Sequence, residues 1–281
     1  MRMFHVEKMT ADDFPFATQL ANTMNWDMTA EDFEFMTKLE PQGCFTLFQK
    51  EERVGIATSI TFEKVGWFGN FIVKENIRGE GAGSLLLKKA LEYLKNKGVE
   101  TVGLYAYPRL VKFYERFGFE PDIDFLVMKG KVAFPATEDV LKAATKRDFS
   151  ELIELDGECF GANREKLLER ILPGKSNLCY VSTENSKITG YVAAKVYSRT
   201  AEIGPLICHS NRVDEAILLL KTVLSRLSGF EVFMYVPKKE KALLNVLRQA
   251  GLKEDFRLVR MFLGSATTKN CIYAAESLER G

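Results

Sequence analysis

The sequence predicts a mixed α/β protein, α+β in its strand order. It has two tandem domains of one fold, each a twisted, mostly antiparallel sheet flanked by helices. Three observations predict this. In the first half, apolar runs of strand length and runs of helical period follow one another in a set order. The landmarks of that order return in the second half at a near-constant offset. The chain has 281 residues, enough for two ordinary domains.

In the first half a short strand at Phe4–Lys8 leads to helices over residues 11–24 and 29–39. Strands follow near 43–49, 52–63 and 66–74. A glycine-rich loop comes next and opens a helix that runs to Lys97, where Gly98 supplies the stop. A strand at 101–107, a helix at 109–117 and a strand near 124–132 complete the half. Antiparallel strands with one strand–loop–helix–strand unit make a layered α/β structure.

The repeat rests on four pairs. Thr10, Asp13 and Phe14 match Thr145, Asp148 and Phe149 at a helix start. Gly55 matches Gly190, a glycine inside a strand-like run; both pairs are offset by 135 residues (10 to 145, 55 to 190). Leu85-Leu86-Leu87-Lys88 matches Leu218-Leu219-Leu220-Lys221, and Gly118 matches Gly251, both offset by 133 (85 to 218, 118 to 251). The domains are expected over residues 1–132 and 137–281, joined near 130–137 where Pro135 interrupts the pattern.

Bulk numbers narrow the function. With 39 basic and 38 acidic residues the formal net charge is +1, which gives no sign of a nucleic-acid or membrane surface. No apolar run approaches ~18 residues, and the first residues lack the apolar core of a signal peptide, so a cytoplasmic protein without a membrane span is expected. The five scattered cysteines read as buried, reduced thiols. The two histidines, His5 and His209, have no cysteine at metal spacing, so neither a metal site nor a cysteine–histidine nucleophile is expected.

The chemistry concentrates in Arg78-Gly79-Glu80-Gly81-Ala82-Gly83-Ser84. The loop follows the apolar run Phe71-Ile72-Val73 and opens a helix at Leu85. Its glycines let bare backbone approach a ligand. A helix N-terminus adds unpaired N–H groups and partial positive charge. Together these make a seat for a phosphate or pyrophosphate. A dinucleotide fingerprint needs glycine where Ser84 stands, and a Walker A loop needs a Gly-Lys-Ser/Thr that is absent.

The stretch Val73-Lys74-Glu75-Asn76-Ile77-Arg78-Gly79-Glu80-Gly81-Ala82-Gly83-Ser84-Leu85-Leu86 resembles the acetyl-CoA motif of the GNAT superfamily of N-acetyltransferases. Downstream, Phe113-Tyr114-Glu115-Arg116-Phe117-Gly118-Phe119 resembles the superfamily's tyrosine motif. The likeness covers residues 3–130. The second half resembles the same fold without its cofactor motif, as in tandem GNAT proteins that keep one working domain. The run Ile272-Tyr273-Ala274-Ala275 fits a final strand of such proteins. Two positions depart from the pattern: Tyr107 and Leu110 stand where the family usually has Asn and Ala.

The resemblance implies an acetyl-CoA-dependent N-acetyltransferase acting by direct attack of a primary amine, with its active site in the first half. Acetyl-CoA is the cosubstrate. The N–H groups of residues 79–84 would hold its pyrophosphate, with Arg78 beside them. Phe71, Ile72 and Val73 would pair with pantetheine as an added strand would, and the N–H near Val73 would polarise the thioester carbonyl. Tyr114 would protonate the departing thiolate. Asn25, Trp26 and Asp27, between the first two helices, would wall the acceptor site, which takes a small-molecule or peptide amine. A monomer or homodimer fits. The strand before the loop carries no acid, so the base is left among Glu63, Asp27 and Glu31. That missing carboxylate keeps a second reading open, a CoA-binding sensor without transfer activity. In the second half, Asn211, Arg212, Asp214 and Ala216 stand at the positions of Arg78, Gly79, Gly81 and Gly83, with Asp214 read as an N-cap and Leu247 in place of Tyr114. One CoA per chain follows.

Overall fold

Thr10 starts the first helical segment with a capping box: its backbone N–H donates to Asp13 Oδ2 at 2.8 Å, at φ −120° and ψ 171°. Thr145 repeats this with Asp148 at 2.7 Å, φ −116° and ψ 170°. The repeat read from sequence is therefore a repeat of backbone geometry. A computed structural model describes residues 3–136, 141–172 and 176–281. The chain divides into two compact units, Met1–Leu104 with Arg280 and Tyr105–Glu279 with Gly281.

The first unit contains β1 (Phe4–Lys8), a 3-10 turn at Ala11–Asp13, α1 (Phe14–Asn22), α2 (Ala30–Leu39), β2 (Cys44–Gln49), β3 (Glu52–Phe62), β4 (Val65–Val73), α3 (Ala82–Asn96) and the start of β5 (Thr101–Ala106). Its sheet runs β1-β2-β3-β4-β5, antiparallel until the parallel pair β4–β5 that α3 bridges. Leu86, Leu87, Ala90 and Leu94 line one stripe of α3 and are buried. Each buried leucine contributes roughly 1.5–3 kcal/mol. Gly98 takes φ +82° just past the helix end, as its position in sequence requires.

The second unit contains α4 (Val111–Glu115), β6 (Glu120–Lys131), β7 (Lys142–Ala143), α5 (Phe149–Phe160), α6 (Glu165–Ile171), β8 (Leu178–Glu184), β9 (Lys187–Val196), β10 (Thr200–Cys208), α7 (Val213–Arg226), β11 (Glu231–Pro237), α8 (Lys241–Gln249), β12 (Lys253–Leu263) and β13 (Ile272–Ala274). Its sheet runs β12-β6-β11-β10-β9-β8-β7, and β13 pairs with β10. Among the described residues of this unit, β10 and β11 pair parallel and β12–β6, β6–β11, β10–β9, β9–β8, β8–β7 and β10–β13 pair antiparallel. β6, the last strand of the sequence's first half, lies here between β12 and β11. Its run Phe125-Leu126-Val127-Met128 is buried on both faces, as a central strand demands. Gly130 and Lys131 still belong to this strand, so the join read near 130–137 starts inside regular structure, and its end at Thr137 lies outside the described residues.

The helix expected at 109–117 is shorter. Pro108–Leu110 forms a 3-10 turn, α4 covers Val111–Glu115, and Gly118 at φ +88° ends the segment. The reduced-thiol expectation needs correction. Cys159 and Cys271 form a disulfide across 112 residues of sequence, because β13 brings Cys271 to the end of α5 with Cα atoms 5.6 Å apart. Cys44 and Cys208 are buried thiols and Cys179 is partly buried, as expected for the remaining three.

Candidate functional site

β4 carries the site's backbone. Its pairing with β5 runs only through Val65–Thr101, Gly66–Val102 and Trp67–Gly103. Gly103 is required there, since a Cβ would come within 2.2 Å of the Trp67 ring. From Phe68 to Val73, β4 keeps its β3 partner, while the ladder to β5 has ended at Trp67. Between the pairs Thr58–Gly69 and Ile56–Ile72 the strand carries one residue more than its partner, a β-bulge. Asn70 sits in it at φ +47°, buried, donating through Nδ2 to Thr58 Oγ1 at 3.2 Å. Asparagine is one of the few residues that tolerates this region. The sequence reading missed Asn70; the signal available was Gly69-Asn70 inside a strand-like run.

Beyond the bulge, the N–H of Lys74 donates to Val54 O on β3 at 2.8 Å. Strand groups alternate sides, so the N–H and carbonyl of Val73 point to the edge away from β3. Arg78 folds back onto that carbonyl, Nε to Val73 O at 3.0 Å. A 3-10 turn at Glu75–Ile77, pinned by buried Ile77, turns the chain into the glycine loop. Gly79 and Gly81 take φ +83° and +87°, and beyond the adjoining residues of the chain no heavy atom lies within 4 Å of where a Cβ on either would be. Gly81 is the N-cap of α3. The first intrahelical bond runs from Leu85 N–H to Gly81 O at 3.0 Å, so the N–H groups of Ala82, Gly83 and Ser84 precede it. Glu80, between the two glycines, is exposed. This is a positively polarised, glycine-lined cradle continuous with the part of β4 beyond its β5 ladder.

Asn25, Trp26 and Asp27 share the loop between α1 and α2, in the same unit. Asn22 clamps it with two bonds, Nδ2 to Met28 O at 2.9 Å and Oδ1 from Met28 N–H at 2.8 Å. Asn25 and Asp27 are held at φ +57° and +51°, while Trp26 is half-buried between exposed neighbours. Backbone held in such regions clusters at functional sites. α1 packs on β3 and β4, and Lys74 lies 5.3 Å from the Phe16 ring centroid. Glu63 fares differently. It occupies the two-residue turn from β3 into β4, at the strand end remote from Val73, roughly 30 Å away along nine residues. Distance removes it from the candidate bases.

Tyr114 lies on α4, in the other unit, buried against the rings of Phe113 and Phe119 at 5.2 and 5.8 Å. Burial pushes its phenol well above the ordinary tyrosine range, so it stays protonated.

The corresponding turn of the second half is built otherwise. His209 N–H donates to Thr189 O at 3.0 Å, matching the Lys74–Val54 bond at the 135 offset. Only residues 209–212 then separate β10 from α7, against 74–81 between β4 and α3. Leu85 and Leu218 are both exposed ahead of buried leucine pairs, which confirms the 133 phase along the helices. The N-cap of α7 is Arg212, not Asp214; Asp214 is in the first turn. The shortened turn brings Arg212 to the cap position, where it bonds Glu215 at 3.1 Å and also pairs with Glu184. Glu215 further accepts from the hydroxyls of Ser182 and Thr189. The chain's own carboxylate neutralises this helix start.

Two family models match in tandem. The acetyltransferase (GNAT) family matches residues 7–119, and an acetyltransferase (GNAT) domain matches residues 152–274. The chain belongs to the GNAT superfamily. Among curated GNAT-related sequences, a chloroplastic serotonin N-acetyltransferase 2 of Oryza sativa subsp. japonica is 36% identical over 63 residues, 22% of this chain and 30% of that protein. The chain spans less than half the length of the curated relatives it matches. The fold of the tandem is shared over nearly the whole chain with an acetyltransferase candidate from Pyrococcus horikoshii: TM-score 0.82, 23% identity, 99% of this chain and 96% of that one. A tandem GNAT protein of the clavulanic acid biosynthesis pathway superposes with TM-score 0.61 at 12% identity, over 92% of this chain and 98% of that one. The GNAT family takes its acetyl group from acetyl-CoA and delivers it to amines. The open cradle at Gly79 and Gly81, which a side chain would fill, fits a diphosphate, and the stretch of β4 beyond its β5 ladder fits an amide-bearing arm.

Proposed function

We propose that the chain is an acetyl-CoA-dependent N-acetyltransferase whose active site is built by its first half, 1–132. The observation that carries this reading is the cradle: left-handed, side-chain-free Gly79 and Gly81 ahead of α3, next to the part of β4 beyond its β5 ladder. The N–H groups of Gly79, Glu80, Gly81, Ala82, Gly83 and Ser84 bind the pyrophosphate. Phe71, Ile72 and Val73 receive pantetheine along the edge away from β3. Acetyl-CoA supplies the acetyl group as a thioester. The Val73 N–H, aimed at that edge, holds the thioester oxygen and is ready for charge developing there. Arg78, bonded to Val73 O, fixes that residue's orientation. Asn25, Trp26 and Asp27 form the wall for a small-molecule or peptide primary amine, and Asp27 and Glu31 are the carboxylates left to take its proton.

Tyr114 donates the proton to the leaving thiolate. Burial keeps its phenol protonated and so holds the proton in place, while making it a weaker acid than an ordinary tyrosine. The second half, 137–281, carries no acetyl-CoA site of its own in this reading. A cytoplasmic monomer or homodimer without nucleic-acid or membrane partners belongs to the same proposal. Among the described residues no helix is long and apolar enough to cross a membrane, whereas the Cys159–Cys271 disulfide is unusual for a reducing compartment.

Thiol release from acetyl-CoA over a panel of amines tests the assignment. Turnover with at least one amine is expected, and Tyr114→Phe should lower kcat by roughly 10²- to 10⁴-fold with the acetyl-CoA KM little changed. Unchanged kcat would remove Tyr114 from the chemistry. Binding with no turnover on any amine would favour the sensor reading, which the acid-free β4 strand supports.

A further inference from the structure

The parallel pairing of β10 with β11 covers Thr200–Glu231 through Ile203–Met234 and then stops, as β4–β5 pairing stops after Trp67. β10 also bulges within one residue of where β4 does: between the pairs Ile203–Ala194 and Leu206–Val192 it carries Gly204 and Pro205 against one residue of β9, and β4 carries Asn70 and Phe71 against one residue of β3. In the first half the β5 ladder ends short of the bulge. In the second half the edge beyond the bulge is filled. β13 pairs with β10 through Leu206–Ala274 and Ile207–Ile272. The N–H of Cys208 donates to Cys271 O at 3.1 Å, and on the far side the N–H of Ala275 donates to Tyr235 O of β11 at 3.0 Å. The segment therefore bridges the two diverging strands.

The seat is shaped for this occupant. A Cβ on Gly204 would stand 2.1 Å from Ala275 O, so only glycine lets the segment in. Lys195, buried on β9, donates to Glu276 Oε1 at 2.5 Å and to Glu276 O at 3.1 Å, and pairs with Glu202 at 2.7 Å. The Cys159–Cys271 bond ties the segment to α5. Ile272, Tyr273, Ala274 and Ala275 are buried.

We propose that the β10–β11 slot is a groove for an extended polyamide chain, and that residues 271–275 are its ligand, carried in cis. A tethered strand presents itself at an effective concentration of order mM, so a free amide-bearing ligand, pantetheine included, is excluded from this slot. The exclusion of pantetheine rests on the proposed cofactor reading; the seating of the segment does not.

Amide hydrogen exchange on the full chain tests it, with no CoA added. In the wild type the amides of Cys208 and Ala275 should exchange at least roughly 100-fold slower than unstructured rates. Gly204→Ala should lower protection of Ala275 by at least roughly tenfold while the β8–β9 amides keep theirs. Gly204→Ala should also lower protection of the Cys208 amide by at least roughly tenfold, and Ala275→Pro, which removes the N–H bonded to Tyr235, should lower Cys208 protection alike and serves should Gly204→Ala fail to fold. Unprotected exchange of Ala275 in the wild type, or full protection of Cys208 in both variants, would overturn the proposal. Loss of acetyl-CoA binding in the wild type with the segment still protected would strike the cofactor reading alone.

Discussion

Replacing Gly81 with Asp should abolish acetyl-CoA binding and leave the fold intact. Gly81 has φ +87° and open space where a Cβ would go, so the substitution clashes with nothing within 4 Å. Holding a non-glycine residue in the left-handed region costs roughly 1–2 kcal/mol, which a domain of this size absorbs. The binding loss is larger. A carboxylate ~4 Å from a phosphate oxygen is repelled by up to about 4 kcal/mol at an effective dielectric near 20. That corresponds to roughly a thousandfold rise in Kd. Gly81→Asn separates the causes: it carries the same shape and backbone strain without the charge, and should keep most of the affinity. Titration calorimetry on both variants checks this. Retained affinity in Gly81→Asp would remove the loop from the cofactor seat.

The second large effect concerns stability. Asp156 and Arg164 are buried at 0% and 1% exposure and paired twice, Nε to Oδ1 at 2.9 Å and Nη2 to Oδ2 at 2.7 Å. Tyr191 donates its hydroxyl to the same carboxylate, Arg164 Nη1 donates to Gly281 O at 2.5 Å, and the guanidinium carbon lies 4.2 Å from the Phe160 ring centroid. Burial works against the guanidinium charge, but Asp156 beside it outweighs burial and holds Arg164 protonated. Burial first, and Asp156 second, raise the Tyr191 phenol. Arg164→Met should destabilise the chain by roughly 3–5 kcal/mol, because it strands a buried carboxylate. Asp156→Leu combined with Arg164→Met should recover most of that loss, since an apolar replacement of a buried pair is often neutral. Denaturant midpoints at constant m-value measure both. A loss below about 1 kcal/mol in the single variant would contradict the account.

What the sequence disclosed was local. Thr10–Asp13 and Thr145–Asp148 announce helix starts within four residues, and both boxes form. Gly98 announces a helix end, and Gly79 and Gly81 announce backbone at positive φ. These depend on a residue and its near neighbours. What stayed hidden depends on partners far along the chain. The disulfide joins residues 112 apart, and β6 lies between β11 and β12. Ile272–Ala274 reads as a strand from its residues, but nothing in them names the β10 edge it joins. Asp214 reads as an N-cap until the loop before it is seen to be shorter, which passes the cap to Arg212. Asn70 falls between these cases. Its left-handed preference is a local signal, and its meaning, a bulge beside the cradle, comes from the β3 register.

The central claim is that one half of the tandem binds cofactor and the other, with Arg212 and Glu215 at its helix start and β13 in its slot, does not. The stoichiometry of acetyl-CoA binding to the full chain, measured by calorimetry, tests it most directly. One site per chain, lost in Gly81→Asp, is the predicted result. Two equivalent sites, or one site that survives the substitution, would contradict it.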